Sequence, residues 1–405
     1  MSKPTGSITR PKGFRAAGGV CGVKASGKPD LALIVADGPC SAAGVFTRNK
    51  VLGAPVMVGK RHVRNGQARA IVCNSGNSNV ATGRQGLDDA VAMCRATAEA
   101  VGCAPGEVLP ASTGIIGRVL PIEKITAGIA SLAPKLKAGP TPDTAAARAI
   151  LTTDLVTKSS VRRLRSGVTI GGIAKGSGMI APSMATMLGF ITTDAEVPPP
   201  VLRQALREAT DASFNRISVD TDTSTSDTVY VLASGQAARS AIKQPSGSRY
   251  TAFVAALTEV CGELAEAIVR DGEGMTKLFR VEVSGAKSMK DADRVGRAIA
   301  ESPLVKTAIH GADPNWGRIA MAAGKSGAAL KPESMTIAIN GESVYAHGVP
   351  VAMSAALEKR LSASMRKTGR DVQLSVDLGL GHASCTWLGC DLTREYITIN
   401  ADYTT

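Results

Sequence analysis

Apolar positions along this chain fall into two rhythms, short unbroken runs and helical spacings, and each is bounded by glycine, proline or small polar residues. The runs read as strands. Residues 28–50, KPDLALIVADGPCSAAGVFTRNK, predict two short strands separated by a Gly/Pro turn, and ARAIVC over 68–73 predicts another that runs into the polar loop NSGNSNVATG. Small and apolar residues at helical spacing predict a helix over Asp88–Val101. A strand-turn pattern, GEVLPASTGIIGRVLP, follows, with a helix behind it in PIEKITAGIASLAPKL. From Ser166 to Asp194 the chain is strand-like on both sides of a glycine-rich turn. Pro198 to Pro200 open a helix, VLRQALREATDASFN; a strand, SVDTDTSTSDTVYVLAS, the polar linker QPSGSR and a strong helix from Tyr250 to Arg270 come next. The last third alternates again and ends on a predicted strand, REYITINADY. The pattern is mixed α/β throughout, without internal repeats or a linker long enough to separate independent modules.

Composition narrows the class. A chain of 405 residues is too large for one small core, and 44% apolar with 20% charged residues excludes disorder. With 3% aromatics, the core must be built from closely packed aliphatic residues. The N-terminus lacks the apolar run of a signal peptide and no membrane-length apolar stretch occurs, so a cytoplasmic protein without a membrane partner is expected. The eight cysteines show no C-x-x-C and read as reduced and packed. The net charge of +13 is spread along the chain, its densest cluster being the three arginines of VRRLRSG. No nucleic-acid pattern accompanies it. A basic surface that attracts small anionic substrates is the better reading.

Familiar catalytic motifs are absent, and no two of the four histidines lie within a short ligand spacing, so neither a metal site nor a Ser-His-Asp triad is expected. Polar, glycine-interrupted loops remain: NSGNSNVATG, PASTGIIG, LTTD, KGSGMIAPSMATML, DTDTSTSD, RDGEGMTK, HGADPNWGR and the C-terminal INADYTT. Their hydroxyls, without a histidine, point to a threonine or serine nucleophile that needs another base. If the bond before a threonine is cut, its new α-amine, with a reference pKa of about 7.7–8.0, can take the proton from its own Oγ. Thr186 in MATML is a candidate, because Gly176 and Gly178 allow unusual backbone angles and Pro182 stiffens the entry. Residue chemistry alone does not single it out from an ordinary β-branched strand residue.

PKGFRAAG, AAGVFTRNK, NSGNSNVATG, ASTGIIG, KGSGMIAPSMATMLGFITTDA, DTDTSTSDTV, VRDGEGMTK, ADPNWGRI and CDLTREYITINADYTT, in that order from about Pro11 to Thr405, resemble the ornithine acetyltransferase family of arginine biosynthesis, the bifunctional glutamate N-acetyltransferases. The resemblance implies a layered α/β fold of the self-processing, N-terminal-nucleophile-like kind. It implies self-cleavage between Ala185 and Thr186 into chains 1–185 and 186–405, assembled as an α2β2 heterotetramer. Thr186 is then the nucleophile of a ping-pong transfer of acetyl from N-acetylornithine to glutamate, with no cofactor and with acetyl-CoA as a possible second donor.

By the same resemblance Thr113 and Gly114 form the oxyanion hole. Lys175 meets a carboxylate, Glu273 an ammonium, Thr152 or Thr153 a polar end of the ligand, and Asn400 and Thr405 close the pocket. Ser183, Ser226, Met275 and NSNVATG depart from the family pattern, without touching the nucleophile or the oxyanion pair. A self-processing aminopeptidase or amidohydrolase using the same Thr186 is the alternative, and transfer to glutamate rather than to water separates the two.

Overall fold

The computed structural model describes residues 7–181, 187–237, 241–367 and 371–402. In chain order the strands are β1 (Phe14–Gly19), β2 (Leu31–Phe46), β3 (Gln67–Asn77), β4 (Val108–Ile115), β5 (Lys158–Arg163), β6 (Thr169–Lys175), β7 (Leu188–Thr193), β8 (Ile217–Ser218), β9 (Thr228–Ala233), β10 (Leu278–Ala286), β11 (Thr336–Ile339), β12 (Glu342–Ala346), β13 (Val349–Pro350), β14 (Val372–Asp377) and β15 (Ala383–Cys390). The helices are α1 (Ala54–His62), α2 (Gly83–Val101), α3 (Ile122–Leu132), α4 (Pro140–Ala149), α5 (Pro199–Asp211), α6 (Ser248–Val269), α7 (Met289–Ala300), α8 (Pro303–Gly311), α9 (Trp316–Gly324), α10 (Ala355–Arg366) and α11 (Arg394–Asp402).

Two mixed sheets organise them into a layered α/β fold. The first runs β4-β3-β2-β9-β7-β6-β5, with β1 also paired to β2; the second runs β13-β12-β11-β14-β10-β15-β8. Strand β7, LGFITT, is buried at every position because it lies inside the first sheet, antiparallel to β6 and parallel to β9, with packing on both faces. Helix α6 covers that sheet. Phe253, Leu257, Val260, Leu264 and Ile268 recur at spacings of three and four and form one fully buried stripe. The second sheet is one-sided: in β14, Val372, Leu374 and Val376 are buried while Gln373 and Asp377 face solvent.

Three sequence expectations change. Residues 31–46 form one long strand, not two, with an irregularity in its pairing to β3 between Val35 and Cys40. Pro39, which has no N–H to donate, falls in that interruption, so the predicted turn is a break in the ladder inside a continuous strand. The predicted strand over 218–234 is instead β8 and β9, separated by the polar loop 219–227.

The predicted terminal strand is the helix α11. Thr393 Oγ1 accepts the Tyr396 N–H at 3.2 Å, as a helix cap does, and donates to the Gly274 carbonyl at 2.6 Å. Capping prevails over the β-branched residues, which have no strand edge to join. All eight cysteines are free, six of them buried. Among the described residues no helix is long and apolar enough to cross a membrane.

Candidate active site

Thr113, Gly114, Thr152, Thr153, Lys175, Glu273 and Asn400, drawn from five separate segments of chain, line a single cavity of about 400 Å³. Ala185, Thr186 and Thr405 lie outside the described residues. Met187, directly after Thr186, is buried at the head of β7, and its N–H donates to Asp227 Oδ1 at 3.0 Å.

Two strand ends set the chemistry of this cavity. Thr113 and Gly114 close β4, where Gly114 turns through φ +130°. A β-carbon there would collide with the backbone of Gly76 on β3, so the strand reaches this position only as glycine. The approach is held from behind, where Ser112 Oγ donates to Asn74 Oδ1 at 2.5 Å and Asn74 Nδ2 to the Asn77 carbonyl at 2.9 Å. NSGNSNVATG is therefore mostly scaffold for the ASTG strand end, and only its Ser78 reaches the cavity.

Lys175 ends β6 with its side chain buried, and its Nζ donates to Thr113 Oγ1 at 3.4 Å. That leaves the Thr113 hydroxyl proton free to be offered to the cavity. A buried ionic cluster supports the lysine. Lys158 Nζ sits 2.7 Å from Asp154 Oδ1 and 2.6 Å from Asp271 Oδ2, and Asp154 Oδ2 lies 3.8 Å from Lys175 Nζ. Asp154 also accepts the N–H groups of Gly176 and Thr152, at 2.6 and 3.0 Å, which ties the LTTD loop to the end of β6. Burial alone would raise the Asp154 carboxyl, yet Lys175, Lys158 and the Gly176 N–H outweigh it and hold the group well below the usual carboxylate range. Lys175 is displaced downward, by burial first and by Lys158 as well, with Asp154 pulling it back. An anionic group arriving beside this lysine would favour its charged form, as Asp154 already does.

Glu273 enters from the loop after α6. Asn400 Nδ2 donates to its Oε2 at 2.9 Å, and its own N–H is held by the Ser177 carbonyl at 3.1 Å. Gly178 is required opposite it, since a β-carbon there would meet the Glu273 carboxylate. A carboxylate and a lysine in one hydroxyl-rich cavity suit a zwitterionic ligand, the lysine taking its carboxylate and the glutamate its ammonium.

The opposite wall was legible only as a polar loop. Asp220, Asp222, Thr223, Ser224, Thr225 and Ser226 line the cavity. The loop is fixed by residues 47–53: Thr47 Oγ1 donates to the Ser224 carbonyl at 2.6 Å, Asn49 Nδ2 to Thr223 at 2.8 Å and the Gly53 N–H to Thr225 at 3.0 Å. Asp220 accepts the N–H groups of Met179 and Ile180 at 2.5 and 2.7 Å where Met179 turns through φ +57°. Burial pushes its carboxyl up to about 6, those N–H groups only partly opposing the rise. Burial likewise carries Asp227 well above the carboxylate range. Tyr396 completes the lining. Sequence assigned none of these residues to the site, although the run of Asp, Ser and Thr was the signal and Ser226 stood out as a departure from the family pattern. HGADPNWGR, in contrast, contributes no cavity residue. Asn315 caps α9 by accepting the Arg318 N–H at 3.1 Å, and His310 pairs with Asp391 at 3.0 Å.

Residues 15–405 match the ArgJ family. The chain is 47% identical to the arginine biosynthesis bifunctional protein ArgJ of Thermosynechococcus vestitus, over 99% of this chain and 98% of that one. It is 46% identical to the protein of the same name from Symbiobacterium thermophilum, over 99% of both. A solved structure of arginine biosynthesis bifunctional protein ArgJ from Bacillus halodurans is 43% identical, with a TM-score of 0.50, over 53% of this chain and 98% of that chain.

Proposed function

Because the chain belongs to the ArgJ family, and so is an acetyltransferase of arginine biosynthesis, we propose that it moves acetyl from N-acetylornithine to glutamate through an O-acetyl ester on Thr186, after cutting itself between Ala185 and Thr186. The convergence of seven resemblance-assigned residues on one cavity carries this reading.

In the chemistry proposed, Lys175 takes the substrate α-carboxylate and Glu273 an ammonium, its carboxylate held by Asn400. Thr186 Oγ attacks the acetyl carbonyl as its hydroxyl proton passes to its own α-amine. The Thr113 hydroxyl and the Gly114 N–H donate to the oxyanion. The amine of ornithine leaves with the proton, glutamate enters the same cavity, and its amine takes the acetyl group by the reverse steps. One cavity serves both halves because donor and acceptor share an α-amino-acid frame, which is the economy of a ping-pong cycle.

The fold also suits the cut. β6 belongs to the N-terminal piece and β7 to the C-terminal piece, yet they pair along six residues from Lys175↔Leu188 to Ile170↔Thr193. β2 and β9 join the two pieces again through Ser41↔Ala233 to Phe46↔Thr228. Cleavage would sever a connection without parting the sheet, which supports the proposal that the two pieces stay together. The solved Bacillus halodurans chain, matched along 98% of its length, spans 53% of this one, close to the share that residues 186–405 would occupy.

Thr186→Ala is expected to give a single chain of full length without transfer activity, read by intact mass and by acetyl transfer from N-acetylornithine to labelled glutamate. A wild-type chain that turns over without being cut would refute the N-terminal-amine mechanism. Free acetate as the sole product would replace the transferase with a hydrolase.

A further inference from the structure

The cavity that gathers the site residues is electrically divided. Among the described residues that line it, one side chain is a cation, Lys175, and three are carboxylates, Asp220, Asp222 and Glu273. The two signs stand apart. The titratable groups that act on Lys175 are Asp154, Lys158, Cys73 and Asp227, and no lining carboxylate is among them. The three carboxylates instead surround Tyr396 of α11, whose phenol is raised by burial first and then by Asp220, Asp222 and Glu273. Lys175 and Thr113 therefore mark one end of the cavity, and Tyr396 with its carboxylates marks the other.

That division suits the donor and opposes the acceptor. N-Acetylornithine carries a carboxylate at one end and, its α-nitrogen being acylated, a single ammonium at the other. Glutamate carries the same α-carboxylate, but its side chain ends in a second one. Seated in the same frame, that group meets Asp220, Asp222 and Glu273, and like charges drawn partly out of water repel. Among the described residues no cation lines that end to receive it. The three carboxylates are not equally able to yield. Asp222 is exposed, where water screens its charge, and Glu273 is held by Asn400 Nδ2 at 2.9 Å. Asp220 accepts the N–H groups of Met179 and Ile180, and its titratable neighbours are Asp222 on its own loop, Tyr396 on α11 and Cys390 at the end of β15. Lys306, which also acts on Cys390, is bound to the Cys390 carbonyl. Backbone N–H groups alone thus favour the charged form of Asp220, and burial has already brought its carboxyl to about 6.

We infer, resting on the acetyl-transfer reading above, that Asp220 is the residue that lets one cavity take both partners. Ionised, it joins Glu273 around the side-chain ammonium of the donor; protonated, it donates its O–H to the side-chain carboxylate of glutamate. Glutamate then enters together with one proton from solvent, and that proton returns to solvent when N-acetylglutamate leaves. Only the O–H bond of this proton is made and broken at Asp220. A carboxylic acid facing a carboxylate makes a strong, charge-assisted hydrogen bond, so the repulsion at this end of the cavity becomes an attraction. Above the pH at which free Asp220 ionises, the proton must be recovered from solvent. Glutamate binding therefore weakens as pH rises, and ornithine binding does not.

The test is calorimetric titration of the free enzyme with glutamate and with ornithine, each in buffers of low and high ionisation enthalpy at about pH 7.5. Both ligands carry an α-ammonium and an α-carboxylate, so the difference between them reports the side-chain end. Glutamate is expected to take up about one proton more than ornithine, and the ratio of its Kd to that of ornithine to rise about tenfold from pH 7 to pH 8. In Asp220→Asn, which cannot ionise, the proton difference is expected to disappear and the ratio to stop changing with pH, while ornithine binding weakens about fivefold or more. Equal proton uptake by the two ligands in wild type overturns the inference without any variant. A proton difference that survives in Asp220→Asn and vanishes in Glu273→Gln overturns it as well and moves the role to Glu273. If wild type does not transfer acetyl from N-acetylornithine to labelled glutamate, the proposed function falls and this inference with it. If it transfers with equal proton uptake, only the role of Asp220 falls.

Discussion

The two sheets of this protein are similar in size and opposite in what they bury. The second sheet is filled by aliphatic side chains with Trp387 and Phe279, and its buried charges, Lys306 and Asp391, lie at its margin near β15. The first sheet carries Lys158, Lys175, Asp154 and Asp271 out of water at the ends of its strands and on the adjoining loops. An apolar core gains stability roughly in proportion to the area it buries, and it tolerates modest changes of shape. A buried ionic cluster contributes little net stability, because desolvation offsets attraction, but it fixes each group to one place. The difference teaches where the chemistry can be: the first sheet sacrifices ease of packing for a positioned lysine beside the Thr113 hydroxyl, and the second supplies a firm base for the loops that reach into the cavity.

Breaking the ionic cluster gives the largest effect. Lys158→Met would strand Asp271 without its cation and leave Asp154 only Lys175, and a loss of about 3–5 kcal/mol is expected by urea denaturation, with transfer activity falling as the cluster around Lys175 is disturbed. Thr113→Val leaves the fold but removes the proposed oxyanion donor, and kcat should fall by about 10²–10³, roughly 3 kcal/mol of transition-state stabilisation, with little change in the denaturation midpoint.

Asp220 sharpens the comparison through pH. Its carboxyl is raised to about 6, so the folded chain holds this proton more tightly than the unfolded chain does. The stability it contributes is present at low pH and is lost as pH rises towards and through 6. Asp220→Asn removes that titration, and its stability relative to wild type should improve by about 2 kcal/mol between roughly pH 4 and pH 7, measured by urea denaturation across that range. Ile337→Val in the second sheet is expected to cost only about 1 kcal/mol and to leave transfer untouched. A large loss of activity from it would mean that the second sheet is more than a base.

Much of the active site was visible as a class of residue before it was visible as a place. Loops dense in Thr, Ser, Asp and Gly announce themselves, because those residues leave helices and strands for turns. Which loops meet does not announce itself. DTDTSTSD and NSGNSNVATG look alike, yet one lines the cavity and the other mainly holds β4 upright. Asp271 stands two positions before Glu273 in RDGEGMTK, and its partner Lys158 lies 113 positions away in sequence.

By itself the sequence determined the local elements: the buried stripe of α6, the unbroken apolar run of β7, the prolines that open α5, and the hydroxyl-rich loops between them. These follow from periodicity and backbone preference, which act over a few residues. Only the tertiary structure decided that residues 31–46 stay one strand and that REYITINAD coils into a helix on a threonine cap. It alone set cations against carboxylates from distant strands and gathered three carboxylates about Tyr396 at one end of the cavity. Such outcomes depend on which groups are brought together out of water, and burial and pairing are properties of the folded whole.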